Sequence, residues 1–232
     1  EEIIKKLKKK ITEHDFSKKS GNPFIDIIFD KYSNIKSFIH GTATMLGSEY
    51  ELMARKIAKS NPRFIKAEKI VLAGKISDKE KAIIKDLVKD LEENKTGSDY
   101  NLEIKKIFEA EDKNTKETRI TIDLYLQDKD GKESFIEMKG PDPNKKEVRA
   151  AKEDLLNVIA IKKRNLKLTE FNKKVEIIFG VYYNNHNEKY ENWKVSPMFE
   201  EGKGMRVQEE FWDFLGGKET FKDILTMISE IK

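Results

Sequence analysis

Asp123, Glu137 and Lys139 are the residues of this chain whose types and spacing best suit chemistry on a phosphodiester. Residues Thr121, Ile122, Asp123, Leu124, Tyr125 and Leu126 alternate polar and apolar side chains, the period of a half-buried strand. Asp128-Lys-Asp-Gly131 follows, and an Asp-Gly pair between alternating runs is a strong hairpin signal. The return run, Phe135-Ile-Glu-Met-Lys-Gly140, sets Glu137 and Lys139 two residues apart, hence on one face and roughly 7 Å apart along the strand. With the right register, Asp123 meets them. Two carboxylates can hold a hard divalent cation against a phosphate, and an ammonium can orient or help deprotonate the attacking water. The expected metal ligands are Asp123, Glu137 and the carbonyl of Met138, with Lys139 beside them as the residue serving the water.

The tripeptide Glu-x-Lys alone means little here, because it begins at Glu93, Glu103, Glu111, Glu137, Glu201 and Glu230. Glu103-Ile-Lys105 is the serious rival, since 101–109 also reads as a strand. The acids upstream of it, Asp86 and Asp90, fall in a helical pattern. Glu137 differs because it follows a hairpin whose first strand carries an acid. A further candidate acid is Glu49, on a helix expected over 42–58 with Glu51 and Arg55 nearby. An i, i+4 surface partner for a basic residue is the plainer use of such a glutamate, and Glu51–Arg55 has that spacing.

Composition limits the alternatives. The 232 residues are enough for one domain with a sizeable core, expected as a single unit over 1–232 with its centre at about 42–183 and contact or dimerisation elements over 184–232. There is no cysteine, which excludes disulfides, thiolate nucleophiles and cysteine-ligated zinc. Histidine occurs at His14, His40 and His186, too scattered for a histidine-rich centre, so Mg2+ is the expected ion and Mn2+ its expected substitute. Lys+Arg number 46 against 42 acids, a net +4 compatible with nucleic acid without implying it. Nothing reads as a signal peptide or long apolar span, so a cytoplasmic protein without membrane association is expected.

The elements that must place the site are legible in outline. Apolar periodicity suggests helices over 2–13 and 24–38, with a break at Asn22-Pro23 between them. It also gives 42–58, ended before Asn61-Pro62, and a helix from Ser77 to Leu91. Strands are expected at about 101–109, 118–127 and 133–139. Pro141 and Pro143 then break the chain before a helix over 145–163, and 174–183 is an apolar run suited to a buried strand. A helix joining two strands of one sheet implies a right-handed crossover, hence a mixed α/β sheet flanked by helices. Residues 184–206 read as loop, followed by a helix-rich end from Glu209.

The acid, acid, lysine pattern resembles the PD-(D/E)xK nuclease core, with Ile122 where that motif has proline. Three further stretches resemble the TdeIII family of type II restriction endonucleases: Ser37-Phe-Ile-His-Gly-Thr-Ala-Thr-Met-Leu-Gly-Ser-Glu-Tyr50, Lys139-Gly-Pro-Asp-Pro-Asn-Lys145, and Val207-Gln-Glu-Glu-Phe-Trp-Asp-Phe-Leu-Gly-Gly217 with Thr220. The resemblance implies an Mg2+-dependent endonuclease cutting double-stranded DNA at a short palindrome of the GGNCC kind. It also implies functional pairing with a cognate DNA methyltransferase. A palindrome in turn implies a homodimer, because two-fold DNA is most simply read by a two-fold protein. Candidate DNA contacts are Asn184, Asn185, Lys189, Asn192, Lys194, Lys203 and Arg206, with Arg55, Arg63 and Arg149 suited to phosphate. Phe211, Trp212 and Phe214 read as core rather than as a stacking platform. Two other readings keep the fold: a structure-selective repair or processing nuclease, and an inactive DNA-binding module.

Overall fold

In a computed structural model of the chain, residues 2–14, 33–110, 114–185 and 189–229 are described. The Asn22-Pro23 break, the apolar pattern over 24–32, Glu111, His186 and Glu230 lie outside them. Two compact units divide the chain: Glu1–Met53 with Lys222–Lys232, and Ala54–Phe221.

The first unit holds α1 (Glu2–Glu13) and most of α2 (Ser33–Ser60), whose last turns, together with everything up to Phe221, belong to the second. After α2 the order is β1 (Phe64–Ser77), α3 (Asp78–Glu92), α4 (Tyr100–Glu109), β2 (Thr115–Asp128), β3 (Glu133–Lys139), α5 (Lys145–Lys162), α6 (Leu168–Lys174), β4 (Val175–Val181), β5 (Met205–Val207), α7 (Glu209–Gly216) and α8 (Thr220–Ser229). The strands form one mixed sheet in the order β1-β2-β3-β4-β5. β1/β2 and β2/β3 are antiparallel, whereas β3/β4 and β4/β5 are parallel. The expected mixed sheet flanked by helices is what the chain forms, and α5 makes the crossover between the parallel strands β3 and β4.

Helix α5 covers the face of the sheet on which the site lies. It buries Val148, Ala151, Leu155, Leu156, Val158 and Ile159 against the sheet and against α3 and α4. Its start is fixed by a capping box: the Asn144 side chain accepts the Glu147 N–H at 3.0 Å and Glu147 accepts the Asn144 N–H at 2.8 Å. Gly74 on β1 lets the helix come close, because a Cβ there would lie 2.4 Å from Ile161. On β4, Ile177, Phe179 and Val181 face this core, and Ile178 and Gly180 face the other way. Gly180 receives the Phe211 ring of α7, which a Cβ would meet at 2.5 Å.

The structure differs from the sequence reading in that α2 runs unbroken over Ser33–Ser60 where helices over 24–38 and 42–58 were expected, α6 was not expected, and β5 begins within the stretch 184–206 read as loop. Two further differences bear on the site. Residues 101–109 are the helix α4, not a strand. The Asp99 side chain caps it by accepting the Leu102 N–H at 2.9 Å, and its buried face is Glu103, Ile104 and Ile107. Apolar residues at 102, 104, 107 and 108 fit both periods over so short a run, and the cap decides between them. The second difference is β1, which has no counterpart among the expected elements. Register shifts between Phe64 and Lys66 and between Glu68 and Ile70 break its alternation.

Candidate active site

The hairpin forms where its turn chemistry puts it. Gly131 takes φ +81°, and the Asp128 carboxylate accepts the N–H groups of Asp130 and Lys132 at 3.0 and 2.8 Å. The β2/β3 ladder pairs Gln127 with Glu133, Leu126 with Ser134, Tyr125 with Phe135 and Leu124 with Ile136. The next step in the same register sets Asp123 across from Glu137, and there the regular ladder stops. The Asp123 carboxylate takes over the backbone's role: its Oδ2 accepts the Met138 N–H at 3.1 Å. Met138 was expected to contribute through its carbonyl, but the bond observed in its peptide at the site is this N–H donation. Parallel pairing of Glu137 with Phe179 and of Lys139 with Val181 puts both residues on the face covered by α5.

The three side chains converge. Lys139 Nζ lies 3.5 Å from Asp123 Oδ2 and 3.6 Å from Glu137 Oε2. Asp123 and Glu137 are buried, at 9% and 6% exposure. Glu137 Oε1 is buried with no hydrogen-bond partner. Burial first, and the Asp123 charge second, push the Glu137 carboxyl up to about 8, although Lys139 pulls the other way. Burial opposes the Lys139 charge, but Asp123 and Glu137 outweigh it and hold that ammonium above the ordinary lysine value. Two carboxylates and one ammonium therefore share a closed space with an acceptor left over, a donor set short of positive charge.

Sequence reasoning missed two neighbours of this cluster. Lys69 of β1 reaches Asp123 Oδ1 at 3.5 Å. Asp154 of α5 is half-buried; burial and Glu153 raise its carboxyl above the ordinary value, Lys139 lowers it, and Asp123 adds a smaller upward push. A helical reading of 145–163 with its apolar face turned to the sheet could have flagged Asp154. Lys69 gave no such signal, because its strand was not legible.

The rival tripeptide is structural. Glu103 sits on α4 in a buried ion pair with Lys152 at 2.6 Å and accepts the Ser98 hydroxyl at 2.9 Å. Glu49 belongs to the first unit, where it is buried and paired with Lys6 at 2.5 Å, its Oε2 buried without a hydrogen-bond partner.

The proposed DNA contacts fall into two groups. Asn185 and Lys189 are exposed. The others are engaged within the protein. Asn184 is half-buried and its N–H donates to Gln208 Oε1 at 2.8 Å. Buried Asn192 donates to the Pro141 carbonyl at 3.1 Å, as the Tyr190 hydroxyl does at 2.8 Å. Lys194 binds Asp142 at 2.5 Å and the Pro143 carbonyl at 3.2 Å, so this segment straps the exit of the strand that carries Glu137 and Lys139. Lys203 is exposed as well, in a surface pair with Glu200 at 2.7 Å. Arg206 pairs with Glu176 at 2.7 Å and lies over the Phe214 ring at 4.3 Å. Of the arginines, Arg63 lies over the Phe64 and Phe214 rings and Arg149 pairs with Glu92 at 3.5 Å. Phe211 and Trp212 are core, as expected, and Trp212 Nε1 donates to the Tyr182 carbonyl at 2.7 Å.

A mixed sheet whose antiparallel hairpin carries the acids and whose crossover helix covers them is consistent with the restriction-endonuclease-like fold. The whole chain, residues 1–232, matches the family described as "Type II restriction endonuclease, HinfI". The chain belongs to that family. The TdeIII affiliation read from the three stretches is a finer statement than this match makes. Among similar proteins are the type II restriction enzymes HgiEI, HgiCII and HgiBI of Herpetosiphon aurantiacus, 25%, 27% and 24% identical over 115 residues. The matched stretch covers 48% of this chain and 40% of each of those relatives. No solved structure matches. No helix among the described residues is long and apolar enough to cross a membrane.

Proposed function

We propose that the protein is a type II restriction endonuclease that hydrolyses double-stranded DNA at a short palindrome with Mg2+, using Asp123, Glu137 and Lys139. The observation that carries this is the convergence of those side chains where the β2/β3 ladder opens, with Glu137 Oε1 buried and unpartnered. A hard divalent cation suits that donor set, because carboxylates are its natural ligands and a small ion of this kind leaves its remaining positions to water and phosphate. Asp123 and Glu137 would hold it, with the Met138 carbonyl as a further oxygen. When bound, Mg2+ or Mn2+ would supply charge neutralisation for the phosphate and a lowered pKa for the attacking water. Asp123, fixed by the Met138 N–H, sets the direction of approach. Glu137 would have to give up its proton to hold the cation, and Lys139 would orient the water and offset phosphate charge. Glu49 is proposed as an additional acid on the strength of the sequence reading alone.

The finer reading follows from palindromic cutting. Two copies each supply one Asp123/Glu137/Lys139 set, so a homodimer makes paired cuts related by the DNA two-fold. A GGNCC-like site rests on the TdeIII resemblance, and so does a cognate methyltransferase; a cytoplasmic place of action is proposed from the sequence reading. Asn185, Lys189 and Lys203 are the exposed candidates for DNA contact. The test is incubation with a mixed DNA panel and Mg2+, followed by sequencing of the fragment ends. Discrete fragments with two-fold sequence around the cuts are expected. Cuts confined to junctions or flaps would favour a processing nuclease, and duplex binding without cleavage would favour an inactive module.

A further inference from the structure

Strand β1 meets the site through a bulge. Glu68 pairs with Tyr125 and Ile70 with Ile122, so β1 has the single residue Lys69 where β2 has both Asp123 and Leu124. An extra residue of this kind bends its strand and re-aims side chains, and such bulges gather beside active sites. Here Lys69 Nζ stands 3.5 Å from Asp123 Oδ1, while Lys139 Nζ stands 3.5 Å from Oδ2. Each oxygen of one buried carboxylate thus has its own ammonium, and the two lysines come from different strands. The Lys69 side chain is 46% exposed, and an ion pair that open to water adds little to stability. Stability is therefore a weak reason for the arrangement.

We propose that Lys69 is a second phosphate-binding cation of this site, held against Asp123 until a divalent cation takes that carboxylate and then turned onto a phosphate oxygen of the bound strand. This rests on the nuclease reading above. A cation on Asp123 repels the neighbouring ammonium, and a flexible four-carbon stem lets that ammonium move to the nearest anion. Two consequences follow. Lys69 competes with the metal for Asp123, which weakens metal binding in the DNA-free protein. DNA that captures Lys69 frees Asp123, so DNA and metal each strengthen the binding of the other by the same factor.

The test compares wild type, Lys69→Met and Lys69→Arg as the full chain. The readouts are Mn2+ affinity without DNA and, with Ca2+ present, affinity for a mixed-sequence duplex over a salt series. Lys69→Met should bind Mn2+ several-fold more tightly, and its slope of log K against log salt should be shallower by about 0.9, the loss of one phosphate contact. Lys69→Arg should keep both values near wild type, and thermal unfolding should be alike in all three. Lys69→Met with wild-type Mn2+ affinity and wild-type slope overturns the role of Lys69. Mg2+ cleavage by the wild type, run alongside, separates the two ideas: a wild type that cuts no duplex strikes the nuclease reading itself.

Discussion

Two buried glutamates show how differently this fold treats the same side chain. Glu80, at the start of α3, is fully buried and, although its Oε1 also lacks a hydrogen-bond partner, its charge is met by two cations and a backbone N–H. Its Oε2 accepts the Ser77 N–H at 2.7 Å and meets Arg164, and Lys163 Nζ stands 2.6 Å from Oε1, off the direction of a good hydrogen bond. Burial alone would raise its pKa, but Lys163 and the Ser77 N–H outweigh that and hold the carboxyl below its ordinary value. Glu137 is about as deeply buried and has an oxygen without a donor, a second acid opposite and one shared lysine. Its carboxyl is pushed up to about 8. Burial is common to both. The balance of nearby charge, two cations beside Glu80 against one lysine shared with Asp123 beside Glu137, separates an acid that locks the fold from one that waits for a cation.

The largest expected effect lies at the underserved site. Asp123→Ala removes a proposed metal ligand and the acceptor of the Met138 N–H. Single-turnover cleavage should fall at least about a thousandfold, some 4 kcal/mol of barrier, while duplex affinity in Ca2+ holds or rises because a negative charge is gone. Comparable energy should appear as stability at the served site. Glu80→Ala strands Lys163 and Arg164 and removes a capping box, so the protein should lose about 3–5 kcal/mol. At about 2–4 °C per kcal/mol for a chain of this size, melting should drop by about 6–20 °C. Cleavage per folded molecule should stay near wild type. A smaller loss, about 2 kcal/mol, is expected for Glu103→Gln, which keeps the shape but discharges the partner of buried Lys152. Its cleavage should also be preserved; a dead Glu103 variant beside an active Glu137 variant would move the site to the other tripeptide.

Proton linkage separates the two glutamates again. Glu80 has a folded pKa below its unfolded value of 4.5, so its contribution is present above 4.5 and is lost as pH falls through the folded value. Glu137 has the opposite sign. Ionising it in the fold carries no cost below 4.5, a growing cost between 4.5 and about 8, and the full cost above that. Because a metal ligand must shed that proton, Mn2+ affinity without DNA should climb with pH up to about 8 and then level off. A flat profile from pH 6 to 9 would mean that Glu137 does not bind the ion.

The hairpin was legible because its signals are local: Asp128 to Gly131 make the turn, alternation marks the strands, and Glu137 and Lys139 follow on one face. The bulge was not legible. Whether Asp123 and Leu124 share one partner depends on β1, a strand whose own alternation is broken. That is why Ile122 and Tyr125 face the same core and every residue from Ile122 to Leu126 is buried, rather than alternate ones. Lys69 was hidden for the same reason. The most specific resemblance, the Phe-Trp-Asp-Phe-Leu-Gly-Gly block, proves to be packing and turn chemistry. Phe211 and Trp212 are core, Asp213 accepts the N–H groups of Glu219 and Phe221 at 3.0 and 3.1 Å, and Gly217 takes φ +105°. Packing and turn residues of this kind say little about chemistry. Arg206 and Lys194 looked like surface cations because a sequence does not show that Glu176 and Asp142 lie against them.

The most direct test is Glu137→Gln, with thermal unfolding and Mg2+-dependent DNA cleavage measured on the same sample at pH 8. A neutral amide of the same shape relieves a buried charge that the fold leaves underserved, so the variant should be more stable than wild type by about 1–2 kcal/mol. Its cleavage should fall about a thousandfold or more. A Glu137→Gln protein that cuts DNA at the wild-type rate would contradict the account.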